Sequence, residues 1–97
     1  MTSSPTDVST PLAKGVTVSA DALVVELSDG RALSVPLAWY PRLAHANAEE
    51  RADWRLIGRG QGIHWPRLDE DISVDGLLAG RRSRESPAAF ARWLASR

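Results

Sequence analysis

Along residues 16 to 37, VTVSADALVVELSDGRALSVPL, apolar side chains recur at alternate positions within three short runs. That is the spacing of half-buried strands. Val16 and Val18 share one face, as do Leu23, Val25 and Leu27, and then Leu33, Val35 and Leu37. Register tests the turns between these runs. A two-residue loop at Asp29-Gly30 would set Leu27 opposite Ala32 and leave Leu33 on the face of Glu26. A three-residue loop, Ser28-Asp29-Gly30, sets Val25 opposite Leu33 and Leu23 opposite Val35, so the apolar faces coincide. Its last position is left-handed, which Gly30 adopts without a Cβ clash. Around Ala20-Asp21, loops of two or four residues both place Val18 opposite Leu23, and the pattern does not choose between them.

Beyond Trp39-Tyr40 the period changes. Pro41 suits the first turn of a short helix ending near Ala46. Asn47, with Glu50 three residues later, forms a capping pattern for another turn running through Trp54. Two short strands follow, Arg55 to Ile57 and Ile63 to Trp65, joined by GRGQG and closed by Pro66. DISVDGLLAG reads as a short helix with Asp71 or Ser73 as N-cap, Leu77 and Leu78 in the core, and Gly80 as its stop. After RRSRE, Ser86 and Pro87 cap and open a helix whose Ala89, Phe90, Trp93 and Leu94 form one apolar stripe. The pattern predicts an α+β fold: a small antiparallel β-sheet of about five short strands, short helices packed on one face, and a C-terminal helix. The chain divides into a disordered Ser-, Thr- and Pro-containing tail at 1–13, a domain at 14–80, and a basic link with the C-terminal helix at 81–97.

A chain of 97 residues fits one domain with little room for a deep cleft. Twelve basic residues balance twelve acidic ones, which removes any global attraction for nucleic acid or a membrane. Locally the balance tilts. Residues 44 to 80 carry seven acidic and four basic side chains, whereas residues 81 to 97 carry five arginines against Glu85 alone. The absence of cysteine removes disulfides and thiolate chemistry and suits a reducing cytoplasm, the expected location. No apolar run approaches the about 18 residues of a membrane span. The N-terminus has no charged segment followed by an apolar stretch, so it does not read as a signal peptide.

The densest cluster of chemistry-bearing residues is GQGIHWPRLDED, 60 to 71. Gly58, Gly60 and Gly62 are spaced G-x-G-x-G and lead into a strand, whereas a dinucleotide loop needs G-x-G-x-x-G opening a helix. They read as a hairpin loop. His64 would need a nucleophile or an orienting carboxylate within reach, with Asp69 or Asp71 nearest in sequence. The alternation of Ile63, His64 and Trp65 instead turns it outward as a surface histidine, and His45 has no companion. Residues 71 to 76, DISVDG, resemble the first half of a calcium loop, but the position for its bidentate glutamate falls on Arg82. Hence no catalytic residue, metal or cofactor is expected. Of four tryptophans, Trp39, Trp54 and Trp65 read as core and rim aromatics, and Trp93 as a residue that contacts a partner.

The motifs DGR with SVPL, WYPRL, WRLIGRGQGIHWP and LDEDISVDGLL, within residues 29 to 78, resemble the bacterial domain-of-unknown-function family 2442. With the preceding strands the resemblance covers roughly residues 14 to 80. It implies a small α+β domain in which Gly30, Pro41, Trp54, Gly62, Trp65 and Asp71 are fold signatures. It implies no enzyme activity and no catalytic residues to carry over. Members often lie beside another small gene in an arrangement like a toxin and antitoxin pair, and some are fused to a helix-turn-helix module. The 17 or so residues after Gly80 are too few for that module.

The combined expectation is a non-enzymatic protein-interaction module, antitoxin-like or accessory. Its partner would be a protein, the product of a neighbouring gene, docked by Phe90, Trp93 and Leu94 with Arg81, Arg82 and Arg84. Acidic residues 69 to 75 would complement a basic surface on that partner. The alternative is a regulator that holds nucleic acid weakly and without sequence preference through the same arginines. Exposed strand edges also predict a homodimer.

Overall fold

In a computed structural model, which describes residues 10–97, the period-two region forms three strands: β1 (Ala13–Val18), β2 (Ala22–Leu27) and β3 (Ala32–Pro36). They pair antiparallel in the order β1-β2-β3. Val25 lies opposite Leu33 and Leu23 opposite Val35, the register expected of a three-residue loop. The Leu27 N–H donates to the Arg31 carbonyl at 2.8 Å across that loop, and Gly30 takes φ +93°. Between β1 and β2 the shorter turn is used. The Ser19 N–H reaches the Ala22 carbonyl at 2.9 Å, while the Ser19 hydroxyl accepts from the Asp21 and Ala22 amides.

The bulge at Lys14 is not visible in the hydrophobic pattern. Ala13 pairs with Leu27 and Gly15 with Glu26, so Lys14 is an extra residue in β1. A bulge re-aims the residues on either side of it, which lets Ala13 and Val16, three apart, both be buried. The expected tail at 1–13 falls largely outside the described residues, but its end belongs to the domain. The Leu12 N–H donates to Ser28 Oγ at 2.9 Å, its carbonyl accepts from the Ser28 N–H at 2.8 Å, and Ala13 is 3% exposed.

The helices begin where their caps predict. In α1 (Pro41–His45) the proline occupies the first turn. In α2 (Ala48–Ala52) the capping box is complete: Asn47 Oδ1 accepts from the Glu50 N–H at 2.8 Å, and Glu50 Oε1 accepts from the Asn47 N–H at 3.0 Å. This helix stops at Ala52, short of the expected Trp54. A second antiparallel sheet follows, built from β4 (Arg55–Ile57), β5 (Gly62–Trp65) and β6 (Glu70–Ser73) in that order.

The expected helix from Asp71 is therefore corrected. Residues 70–73 are a strand, with Ile63 opposite Ile72 and His64 opposite Asp71, and the helix α3 (Val74–Leu78) starts only after Ser73, whose Oγ accepts from the Gly76 N–H. A single apolar residue between Asp71 and Ser73 shows no period by itself, and Ser73 satisfies the cap in either reading. The described residues thus hold six strands in two sheets. Leu78, expected inside, is 37% exposed, whereas Leu77 is 2% exposed. Paired bonds from the Gly80 and Arg81 amides to the Leu77 and Gly76 carbonyls close α3.

One apolar core joins the two sheets. Leu23, Val25 and Val35 from the first meet Ile63, Trp65 and Ile72 from the second, with Leu37, Leu43, Leu68 and Leu77 from the connecting elements. Trp65 is fully buried, and its Nε1–H finds the Arg51 carbonyl at 3.0 Å. Trp39 and Trp54 pack on the rim, as their sequence context predicts.

Candidate recognition surfaces

The last helix, α4 (Pro87–Ala95), opens with Ser86 Oγ accepting from the Ala89 N–H. Its stripe of Ala89, Phe90, Trp93 and Leu94 is half-buried, with no residue fully enclosed. Phe90 and Trp93 stack at 5.8 Å between centroids, and each makes a T-shaped contact with His45 at just over 6 Å. The guanidinium groups of Arg42 and Arg97 lie over the Trp93 ring at 5.1 and 4.5 Å, in cation–π geometry. Arg97 also grips both carboxylate oxygens of Glu50 at 2.5 and 2.6 Å. With the Asn47 amide as the first cause and Arg97 as the second, Glu50 is held below the usual carboxylate range. Phe90 and Trp93, two of the side chains expected to dock a partner, are thus engaged within the chain. His45, Arg42 and Arg97, which sequence reasoning left aside, are what they engage.

The basic link 81–86 is fastened at several points. Tyr40 Oη donates to the Arg81 carbonyl at 2.8 Å, the Ser83 N–H donates to the Trp39 carbonyl at 3.0 Å, and the Arg82 guanidinium lies over Trp39 at 4.9 Å. Glu85 forms a forked pair with Arg42, whose Nη1 also donates to the Leu68 and Asp69 carbonyls. At 17% and 10% side-chain exposure this pair is largely withdrawn from solvent, and withdrawal makes its geometry matter more than that of a surface pair.

Arg81, Arg82 and Arg84 remain exposed. Together with Tyr40 and with Glu70, Asp71 and Ser73 of β6 they line a groove of about 420 Å³. Burial pushes the Glu70 carboxyl up to about 7; Arg42 opposes the rise, while Glu85, Asp71 and Asp69 add to it. Tyr40 is raised by burial and by the nearby Glu70. A group that changes charge near neutrality therefore lines a groove of mixed charge.

His64 turns outward as expected, and the cross-strand register delivers Asp71 to its Nδ1. Asp69, the other carboxylate considered, sits at φ +52° with its side chain 91% exposed, toward Arg42. The His64–Asp71 pair lies on the open face of the second sheet, and the other ring nitrogen has no hydrogen-bond partner among the described residues. Asp71 thereby orients the imidazole through its Nδ1. The oxygens of the calcium-like stretch are engaged separately: Asp71 with His64, Ser73 with the Gly76 amide, and Asp75 with Thr10. Asp71, read as a fold signature, thus serves as a cross-strand partner, while Gly62 lies beneath the Ile57 side chain. Among the described residues no helix is long and apolar enough to cross a membrane.

These features define a small α+β domain with charged and apolar surfaces arranged around one core. Residues 13–83 match the family described as "Protein of unknown function (DUF2442)", and the chain belongs to that family. The matched span ends before α4. Comparison with curated proteins finds no match. The chain is similar to a crystal structure of a protein of unknown function from Rhodospirillum rubrum, at 29% identity and a TM-score of 0.65, covering 80% of this chain and 94% of that one. It is also similar to a solution NMR structure of an uncharacterized protein from Chromobacterium violaceum, at 25% identity and a TM-score of 0.64, covering 88% of this chain and 74% of that one.

Proposed function

We propose that the protein is a non-enzymatic interaction module that takes a charged segment of another protein into the groove between β6 and the basic link. The observation carrying this reading is the mixed lining of that groove, to which Glu70 and Asp71 of β6 and Arg81, Arg82 and Arg84 of the link all contribute. A polypeptide bearing both charges complements such a surface. A partner encoded by a neighbouring gene, in an antitoxin-like or accessory arrangement, extends this reading. Because Phe90 and Trp93 are engaged with His45 and Arg42 of α1, the groove takes the role first expected of Phe90, Trp93 and Leu94. The exposed arginines favour a second reading, weak salt-sensitive binding of nucleic acid, against which the two carboxylates would repel phosphate.

Co-expression with the neighbouring gene, followed by pull-down of the tagged chain at low salt, tests the proposal. A stoichiometric small protein is expected, and it should be lost when Arg81, Arg82 and Arg84 are replaced together by glutamate. Recovery of the chain without that protein would overturn the neighbour-partner reading. A gel shift with unrelated DNA that survives only at low salt would instead support the second reading.

A further inference from the structure

Three of the four outer strands in the two sheets run beside other parts of the chain. β1 meets α2 and the 58–60 turn, where a Cβ on Gly60 would lie 2.5 Å from the Ala13 carbonyl oxygen. β3 lies beside α3, and β6 borders the groove under the basic link. β4 differs, with Arg55, Leu56 and Ile57 all exposed. Leu56 and Ile57, at 37% and 44%, are two of the three large exposed hydrophobic residues among those described. An open edge carrying apolar side chains is a template for another strand.

We propose that two copies of the protein pair antiparallel through β4, joining their second sheets into one six-stranded sheet across a two-fold axis at Leu56. This surface is separate from the groove, so the inference does not depend on the function proposed above. A two-fold axis perpendicular to a sheet preserves its faces, so one residue must lie opposite itself. Centring the pair on Arg55 sets arginine against arginine, and centring it on Ile57 sets Arg55 against Arg59 of the second copy. Directly opposed like charges destabilise a strand pair. Centring it on Leu56 avoids both conflicts. Leu56 then faces itself, Arg55 faces Ile57 of the second copy, and Asp53 approaches Arg59 of the second copy at the ends of the pair.

The apolar rows agree with this register. Within one chain Leu56 lies opposite Ile63, and Ile63 opposite Ile72. Joining two such rows at Leu56 makes a continuous line of six apolar side chains across the combined sheet. On the other face, the aliphatic stem of Arg55 covers the exposed Ile57 of the second copy.

The protein contains no cysteine, so a single introduced thiol reports the axis. Sedimentation velocity over a concentration series is expected to show a reversible dimer. Leu56→Arg, which faces an added cation with itself, should weaken it by about ten-fold or more. Under mild oxidation Leu56→Cys should form a disulfide-linked dimer about ten-fold faster than the equally exposed Leu78→Cys, because directly opposed Cβ atoms are within reach of a disulfide. A wild-type chain that stays monomeric to about 1 mM, a concentration that still detects millimolar affinity, would overturn the proposal. So would equal crosslinking of the two cysteine variants, or unchanged dimerisation of a folded Leu56→Arg variant.

Discussion

Replacing Glu70 by glutamine removes the most displaced carboxyl among the described residues while preserving its size. In the folded chain burial raises this group from 4.5 to about 7. Between those values the folded state binds more protons than the unfolded state, so stability falls as pH rises. The contribution of the neutral carboxyl is fully present below pH 4.5 and is lost as pH passes through about 7. At about 1.4 kcal/mol per unit the gap sets a ceiling of about 3 kcal/mol. Glu70 is still partly open to solvent, and screening reduces the effect to about 1–2 kcal/mol. Thermal melts of the wild type and Glu70→Gln should nearly coincide at about pH 4 and diverge toward about pH 8, where the variant becomes more stable. For a domain of this size each kcal/mol corresponds to about 4–8 °C in Tm. Titrating groups distant from Glu70 are common to both proteins and largely cancel in the difference. A Tm difference independent of pH, or a glutamine variant less stable at about pH 8, would refute this account.

Four further substitutions test separate parts of the structure. Gly30→Ala, where no atom lies within 4 Å of an added Cβ, should lose about 1 kcal/mol through its φ alone. Gly60→Ala adds a collision with the Ala13 carbonyl and should lose more than about 2 kcal/mol in urea unfolding. Trp65→Phe should cost about 2–3 kcal/mol in the same assay, because it opens space in the sealed core and leaves the Arg51 carbonyl without its donor. Arg97→Ala should release the grip on Glu50 and raise hydrogen exchange in α4 by about ten-fold. Amides in β5 should be unaffected; equal loss of protection there would mean that α4 unfolds only with the core.

The first sheet was legible because one face of each strand is buried, and a one-residue slip would turn Val25 and Leu33 to opposite sides. Its bulge was not legible. Ala13, Lys14 and Gly15 carry too little apolar character to reveal an extra residue, and only pairing with Glu26 and Leu27 exposes it. Strand β6 was missed for a related reason. Ile72 is its single buried residue, and its alternation is lost among carboxylates that also suit the start of a helix. Caps were legible at Asn47, Ser73 and Ser86, because a side chain binding an amide two or three residues ahead is local chemistry.

The surfaces were less legible, because each depends on partners distant in sequence. Arg42 meets Glu85 and Trp93, and Glu50 meets Arg97. From the sequence α4 presents an apolar stripe flanked by arginines, which describes equally a helix that docks a partner and one that docks its own domain. In the fold His45 meets both aromatic rings and Glu50 closes on Arg97, contacts that neither residue's place in the sequence announces. The same cross-chain pairing ties down much of the basic segment: Arg97 is held by Glu50, Arg82 rests on Trp39, and the link is fastened to α1 by Arg42 and Glu85. A net charge counted over residues 81 to 97 therefore overstates what that segment offers to nucleic acid. By contrast Leu56 and Ile57 look in the sequence like ordinary strand residues, yet the edge position of β4 leaves both exposed. Topology thus withdraws much of the apolar stripe and part of the charge that composition marks for binding, leaves Arg81, Arg82 and Arg84 exposed, and opens at β4 an edge that composition does not mark.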